Sequence, residues 1–118
     1  MATDLCLLIT RPPSAGFVSQ EAFDLAVTGG VFDRQTEVIF TGSGLLHLAE
    51  HRPSEGHKSL LKLWQSAGMF GIQRFLVPQA EADTLRSLKP SVLRDSIRLM
   101  TWPELHELMQ DSRKVMVL

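Results

Sequence analysis

One cysteine, Cys6, is all the thiol this chain possesses. An intramolecular disulfide is therefore excluded, as is a structural zinc site built on several thiolates. No apolar run approaches the roughly 20 residues needed to span a bilayer. The opening MATDLCLLIT has no basic lead and too short an apolar run for a secretory signal. The expectation is a soluble, cytoplasmic chain. An excess of one charge is also missing: 12 basic and 13 acidic side chains leave a formal net charge of -1. The broad positive footprint of a nucleic-acid binder is absent, so no direct nucleic-acid contact is expected. No block of like charges, low-complexity tract or solenoid repeat breaks the sequence. What is present is 118 residues with 44% hydrophobic content, enough for one packed domain spanning 1–118.

The stretch Thr36–Glu50, TEVIFTGSGLLHLAE, organises the rest. Val38, Ile39 and Phe40 make a compact apolar run. Thr41-Gly42-Ser43-Gly44 follows, and then Leu45, Leu46, Leu48 and Ala49 recur at helical spacing. The pattern predicts a strand, a small-residue turn and a short helix. Upstream, LCLLIT over 5–10 predicts a strand buried on both faces, with Pro12-Pro13 forcing an extended exit. Ser19 is a candidate helix cap, and Ala22, Phe23, Leu25, Ala26 and Val27 supply an apolar helical face. Gly29-Gly30 either ends that helix or presses its last turn on the sheet.

Downstream, HRPSEGHK over 51–58 reads as a surface loop. Residues 59–69 read as a helix with a stripe of Leu60, Leu61, Leu63, Trp64 and Ala67. Residues 74–77 predict a third strand stopped by Pro78, and 81–88 a helix. Residues 96–101 alternate, which predicts a strand near a sheet edge. Thr101-Trp102-Pro103-Glu104 fits a capping box with proline in the first turn, ahead of a helix buried through Leu105, Leu108 and Met109. KVMVL over 114–118 is a last apolar strand. The alternation defines an α/β fold with three α/β/α layers and a mainly parallel sheet of about five strands. Right-handed crossovers place helices on both faces. The pattern leaves strand order open.

A turn after a parallel strand lies at the carboxyl edge of the sheet, where ligands bind in open α/β folds. Gly42, Ser43 and Gly44, with Arg11 at the end of the first strand, are therefore the candidate site for a small anion. The alternatives are a turn that only reverses the chain and an arginine that is only a solvated charge. TGSG lacks the spacing and the lysine of a phosphate-binding loop. Cys6 lies within an apolar strand with no basic neighbour in sequence, the setting of a core thiol and not of a nucleophile. His47 and His51 are four residues apart, but HLAEH lacks the glutamate position of a zincin. His47, His51, His57 and His106 are read as solvated, and no metal or cofactor is expected. Leu45, Leu48, Trp64, Met69 and Phe70 form an apolar excess for a chain this small, pointing to a subunit interface.

LLITRPPSAG, EAFDLAVTGGVFD, EVIFTGSGLLHL, LKLWQSAGMFGIQRFLV and the closing SRKVMVL occur in an order and spacing that resemble the DsrE/DsrF/DsrH sulfur-relay family, closest to its TusC/DsrF branch. The resemblance covers nearly the whole chain. It implies a compact α/β/α subunit that assembles with DsrE/TusD-like and DsrH/TusB-like partners, or with itself. It also implies a place in persulfide transfer, serving tRNA 2-thiouridine formation or intracellular sulfur oxidation. In such assemblies the carrier cysteine belongs to the DsrE/TusD-type subunit. Two departures stand out. Ser43-Gly44 replaces the DG found in many relatives after the second strand. FLVPQAEAD has Pro78 near the place where relatives often carry a cysteine. A non-catalytic relay subunit is the leading reading. A free-standing homo-oligomeric small-ligand or anion-binding protein of the same fold is the alternative, and a sulfurtransferase acting through Cys6 is a third.

Overall fold

The structure is a computed structural model that describes residues 3–12, 21, 23–28, 35–48, 64, 72, 74–88 and 96–118. Five short strands carry the fold: β1 Leu5–Ile9, β2 Thr36–Phe40, β3 Phe75–Pro78, β4 Ile97–Met100 and β5 Lys114–Val117. They form one all-parallel sheet in the order β4-β3-β2-β1-β5. β1 lies inside the sheet, as its continuous apolar sequence requires, and β4 lies at an edge, as its alternation requires.

The strand order explains which face each helical segment covers. From β1 to β4 the chain steps in one direction across the sheet. Right-handed crossovers therefore deliver those connections to one face. Phe23 and Ala26 from helical residues 23–28, Leu45 and Leu48, Trp64, and Leu85 all pack there against Leu7, Ile9, Val38, Phe40, Phe75 and Val77. The step from β4 to β5 runs back past three strands. The same handedness sends its helix, Trp102–Gln110, to the opposite face, where Leu105 meets Cys6, Ile39 and Leu76. Helical layers on both faces make the three-layer α/β/α arrangement.

The carboxyl-terminal helix starts as its sequence dictates. The Thr101 hydroxyl accepts from the Glu104 N–H, the Glu104 carboxylate accepts from the Thr101 N–H, and Pro103 sits where no N–H is needed. Residues 79–88 begin with a 3-10 turn, Gln79–Glu81, and continue as an α-helix, Ala82–Ser87. The loop 51–58, the helix expected over 59–69 apart from Trp64, and Gly29-Gly30 lie outside the described residues.

Candidate functional site at the carboxyl edge of the sheet

The segment after β2 differs from the expected turn and helix. It is a single 3-10 helix, Gly42–Leu48. Gly42 and Gly44 serve it in different ways. Gly42 has φ of +58°, a conformation that costs a side-chain-bearing residue energy, although a Cβ there would meet nothing. Gly44 is pressed on β1: a Cβ would stand 2.0 Å from the Ile9 carbonyl oxygen. The close approach at Gly44 is thus made to this chain's own backbone. The Thr41 N–H donates to that same Ile9 carbonyl at 3.1 Å, tying the segment to the end of β1.

The polar groups of the turn are met by Glu81, from the segment after β3. Its Oε1 accepts from the Gly42 N–H at 2.7 Å, and its Oε2 accepts from the Thr41 hydroxyl. A carboxylate of the protein itself therefore sits where a small anion at Gly42 would have to bind. Sequence reading missed this residue. Glu81 and Thr41 are 40 positions apart, and only the adjacency of β2 and β3 brings them together. The available signal was an acceptor directly following the neighbouring strand on the same sheet edge.

His47 is not the solvated side chain expected from sequence. It is fully buried within an aromatic cluster of Phe40, Trp64 and Phe75, with Trp64 also edge-on to Phe23. The Trp64 indole N–H can only donate, and it does so to Nδ1 of His47 at 3.2 Å. In the neutral ring Nε2 then carries the proton and donates to the Arg11 carbonyl at 2.9 Å. This histidine joins the core to the backbone at the exit of β1. His51 and His57 lie outside the described residues, and His106 is exposed beside Trp102. Among the described residues no group of three or more His, Cys, Asp or Glu side chains could hold a metal ion.

Arg11 does reach the carboxyl edge. Its side chain is exposed and lines a cavity of about 290 Å³ with Thr10, Glu21, Val117 and Leu118. Gly42, Ser43 and Gly44 do not line that cavity. Arg11 and the turn are joined through its backbone carbonyl and His47. Of the expected interface residues, Leu45, Leu48 and Trp64 are buried in the core of this single chain, because the first three connections share one face. Met69 and Phe70 lie outside the described residues. Among the described residues the exposed large apolar side chains are Leu46, Leu99, Val115 and Val117.

Cys6 is buried on the sparser face of the sheet. Burial first, and the Glu37 carboxylate second, push its thiol up to about 11, against a modest opposing pull from Ser112. Glu37 is itself clamped by Arg74, whose Nη2 donates to Oε1 at 2.7 Å and whose Nε donates to Oε2 at 3.2 Å.

This is a parallel α/β fold in which Glu81 occupies the turn after β2 at the carboxyl edge of the sheet. No family model matches the chain. Over its whole length it is similar to Protein TusC homolog from Pseudomonas aeruginosa, 28% identical over 120 aligned residues that span all of both chains. That match supports a TusC/DsrF-like sulfur-relay family assignment. No helix among the described residues is long and apolar enough to cross a membrane.

Proposed function

We propose that this protein is a non-catalytic, TusC/DsrF-like subunit of a sulfur-relay complex, which holds the assembly together while a DsrE/TusD-like partner carries the persulfide. The observation behind this reading is the state of Cys6. It is the chain's one thiol, it is fully buried, and its pKa lies near 11. A sulfur carrier must present a thiolate to a donor and then to an acceptor, and Cys6 meets neither condition. The full-length likeness to a TusC homologue supplies the relay context. The process served is either tRNA 2-thiouridine formation or intracellular sulfur oxidation.

Co-expression with DsrE/TusD-like and DsrH/TusB-like subunits tests this. A stable complex should form, and labelled persulfide should appear on the DsrE/TusD-like chain alone. Cys6→Ala should leave transfer unchanged. Persulfide on Cys6, or transfer lost with Cys6→Ala in a complex that still assembles, would refute the proposal.

The cavity beside Arg11 favours a second reading, a free-standing homo-oligomeric binder of a small ligand or anion. Equilibrium dialysis with sulfate, sulfite and thiosulfate separates the two. Binding lost in Arg11→Ala would support the second reading.

A further inference from the structure

The link from Trp64 through His47 to Arg11 works in one protonation state. His47 is fully buried, and both its ring nitrogens are committed. The indole N–H of Trp64 can only donate, so Nδ1 must be bare to accept from it at 3.2 Å. The Arg11 carbonyl can only accept, so Nε2 must carry the hydrogen that meets it at 2.9 Å. A second proton can enter only at Nδ1. There it would point at the indole N–H and replace a hydrogen bond with two opposed donors. It would also put a charge among Phe40, Trp64 and Phe75, away from bulk solvent.

Among the described residues, the ionisable groups on the elements around this ring are Arg11, Glu21, Asp24, Glu37, Arg74 and Glu81. Arg11, Glu21 and Asp24 are exposed. Glu37, in register with Cys6, lies on the other face of the sheet and is clamped by Arg74. Glu81 is held by Thr41 and Gly42. The 3-10 segment that carries His47 is fastened to the exit of β1 at two points. One is a backbone bond, from the Thr41 N–H to the Ile9 carbonyl. The other is the His47 ring on the Arg11 carbonyl, and only this one contains a titratable group.

We propose that His47 is a pH-operated latch that ties the Gly42–Leu48 segment and Arg11 to the aromatic core, and that acid opens it. A proton taken from solvent at Nδ1 breaks the bond from Trp64, and the charged ring leaves the core with its segment. Arg11 lines the cavity at the carboxyl edge, so the opening also loosens that part of the cavity. The direction follows from proton counting. Above the ordinary histidine range, about 6.5, latched and opened chains hold the same number of protons at this ring. Below it, the opened chain takes up a proton that the latched geometry refuses. The latch therefore weakens as pH falls, by up to about tenfold for each pH unit. The inference goes beyond the relay reading and does not depend on it.

Nuclear magnetic resonance of the full chain between about pH 7.5 and about pH 5 tests the latch. At the upper end the His47 ring should be neutral, with its proton on Nε2. On acidification the hydrogen-exchange protection factors of the Thr41 and Gly44 amides should fall, by up to about tenfold per pH unit below about 6.5. The Leu105 amide, in the helix on the other face, should fall less. His47→Gln, which cannot titrate, should lose this pH dependence. Trp64→Phe keeps an aromatic ring but removes the donor, so its pH dependence should be shallower than that of the wild type. The two variants are independent, so the test survives if one of them fails to fold. A proton on Nδ1 in the native chain at neutral pH would overturn the proposal. So would protection at Thr41 and Gly44 that does not respond to acid, an equal loss at Leu105, or a wild-type response in either folded variant.

Discussion

The two faces of this sheet are built to different standards. On one, Trp64 lies at the centre of edge-to-face contacts with Phe23, Phe40 and Phe75, and three crossover connections cover the strands. On the other, among the described residues, the nine-residue helix Trp102–Gln110 sets its buried Leu105 on buried Cys6, Ile39 and Leu76, and Val115 and Val117 are exposed. The inequality follows from strand order and not from composition. Among the described residues, the first face carries the aromatic packing, and the second leaves the β5 valines exposed.

Truncation on each face tests the contrast most severely. Trp64→Ala should cost about 3–5 kcal/mol, because it empties the largest core position and strips His47 of the donor at Nδ1. Leu105→Ala should cost less, about 2–3 kcal/mol, since half-open surroundings can relax into the space. Urea unfolding followed by far-UV circular dichroism measures both. Equal losses would mean that the faces are energetically alike.

Glu81→Gln sharpens the comparison at the sheet edge. It keeps the size but removes the charge from the bonds to Thr41 and Gly42. The expected loss is about 1–2 kcal/mol, read from the same unfolding curves. An unchanged midpoint would mean that the carboxylate adds nothing to holding the turn.

The difference between the alkaline pH profiles of the wild type and Cys6→Ala probes the sparse face. The Cys6 thiol ordinarily ionises near 9.0, but in the folded chain only near 11. Between those values the folded state keeps a proton that the unfolded state has lost. Stability therefore falls as pH rises above about 9 and levels off beyond about 11. Cys6→Ala should flatten this decline, and the readout is the difference between the two pH profiles. Superimposable profiles would mean that the thiol titrates alike in both states. The smallest effect is expected at the open edge. Val117→Lys should change stability by less than about 0.5 kcal/mol, read from urea unfolding, because the side chain is exposed.

Much of the fold was legible in the sequence. The uninterrupted LCLLIT marked an interior strand, the alternation over 96–101 marked an edge strand, and TWPE marked a helix start by its capping chemistry. The candidate site was legible only in outline. Arg11 and TGSG were correctly placed on one edge of the sheet, but neither Glu81 nor the buried role of His47 could be read there.

The sequence by itself determined the local elements, because periodicity, capping and glycine geometry act over a few residues. It also determined that only one thiol exists to be used or hidden. Tertiary structure alone decided that Trp64, Leu45 and Leu48 are core, that Glu81 closes the turn after β2, and that β5 is an edge strand. Each of these depends on which strands are neighbours. Strand order is settled by the packing of the whole chain, in which crossover handedness and shared burial join residues tens of positions apart.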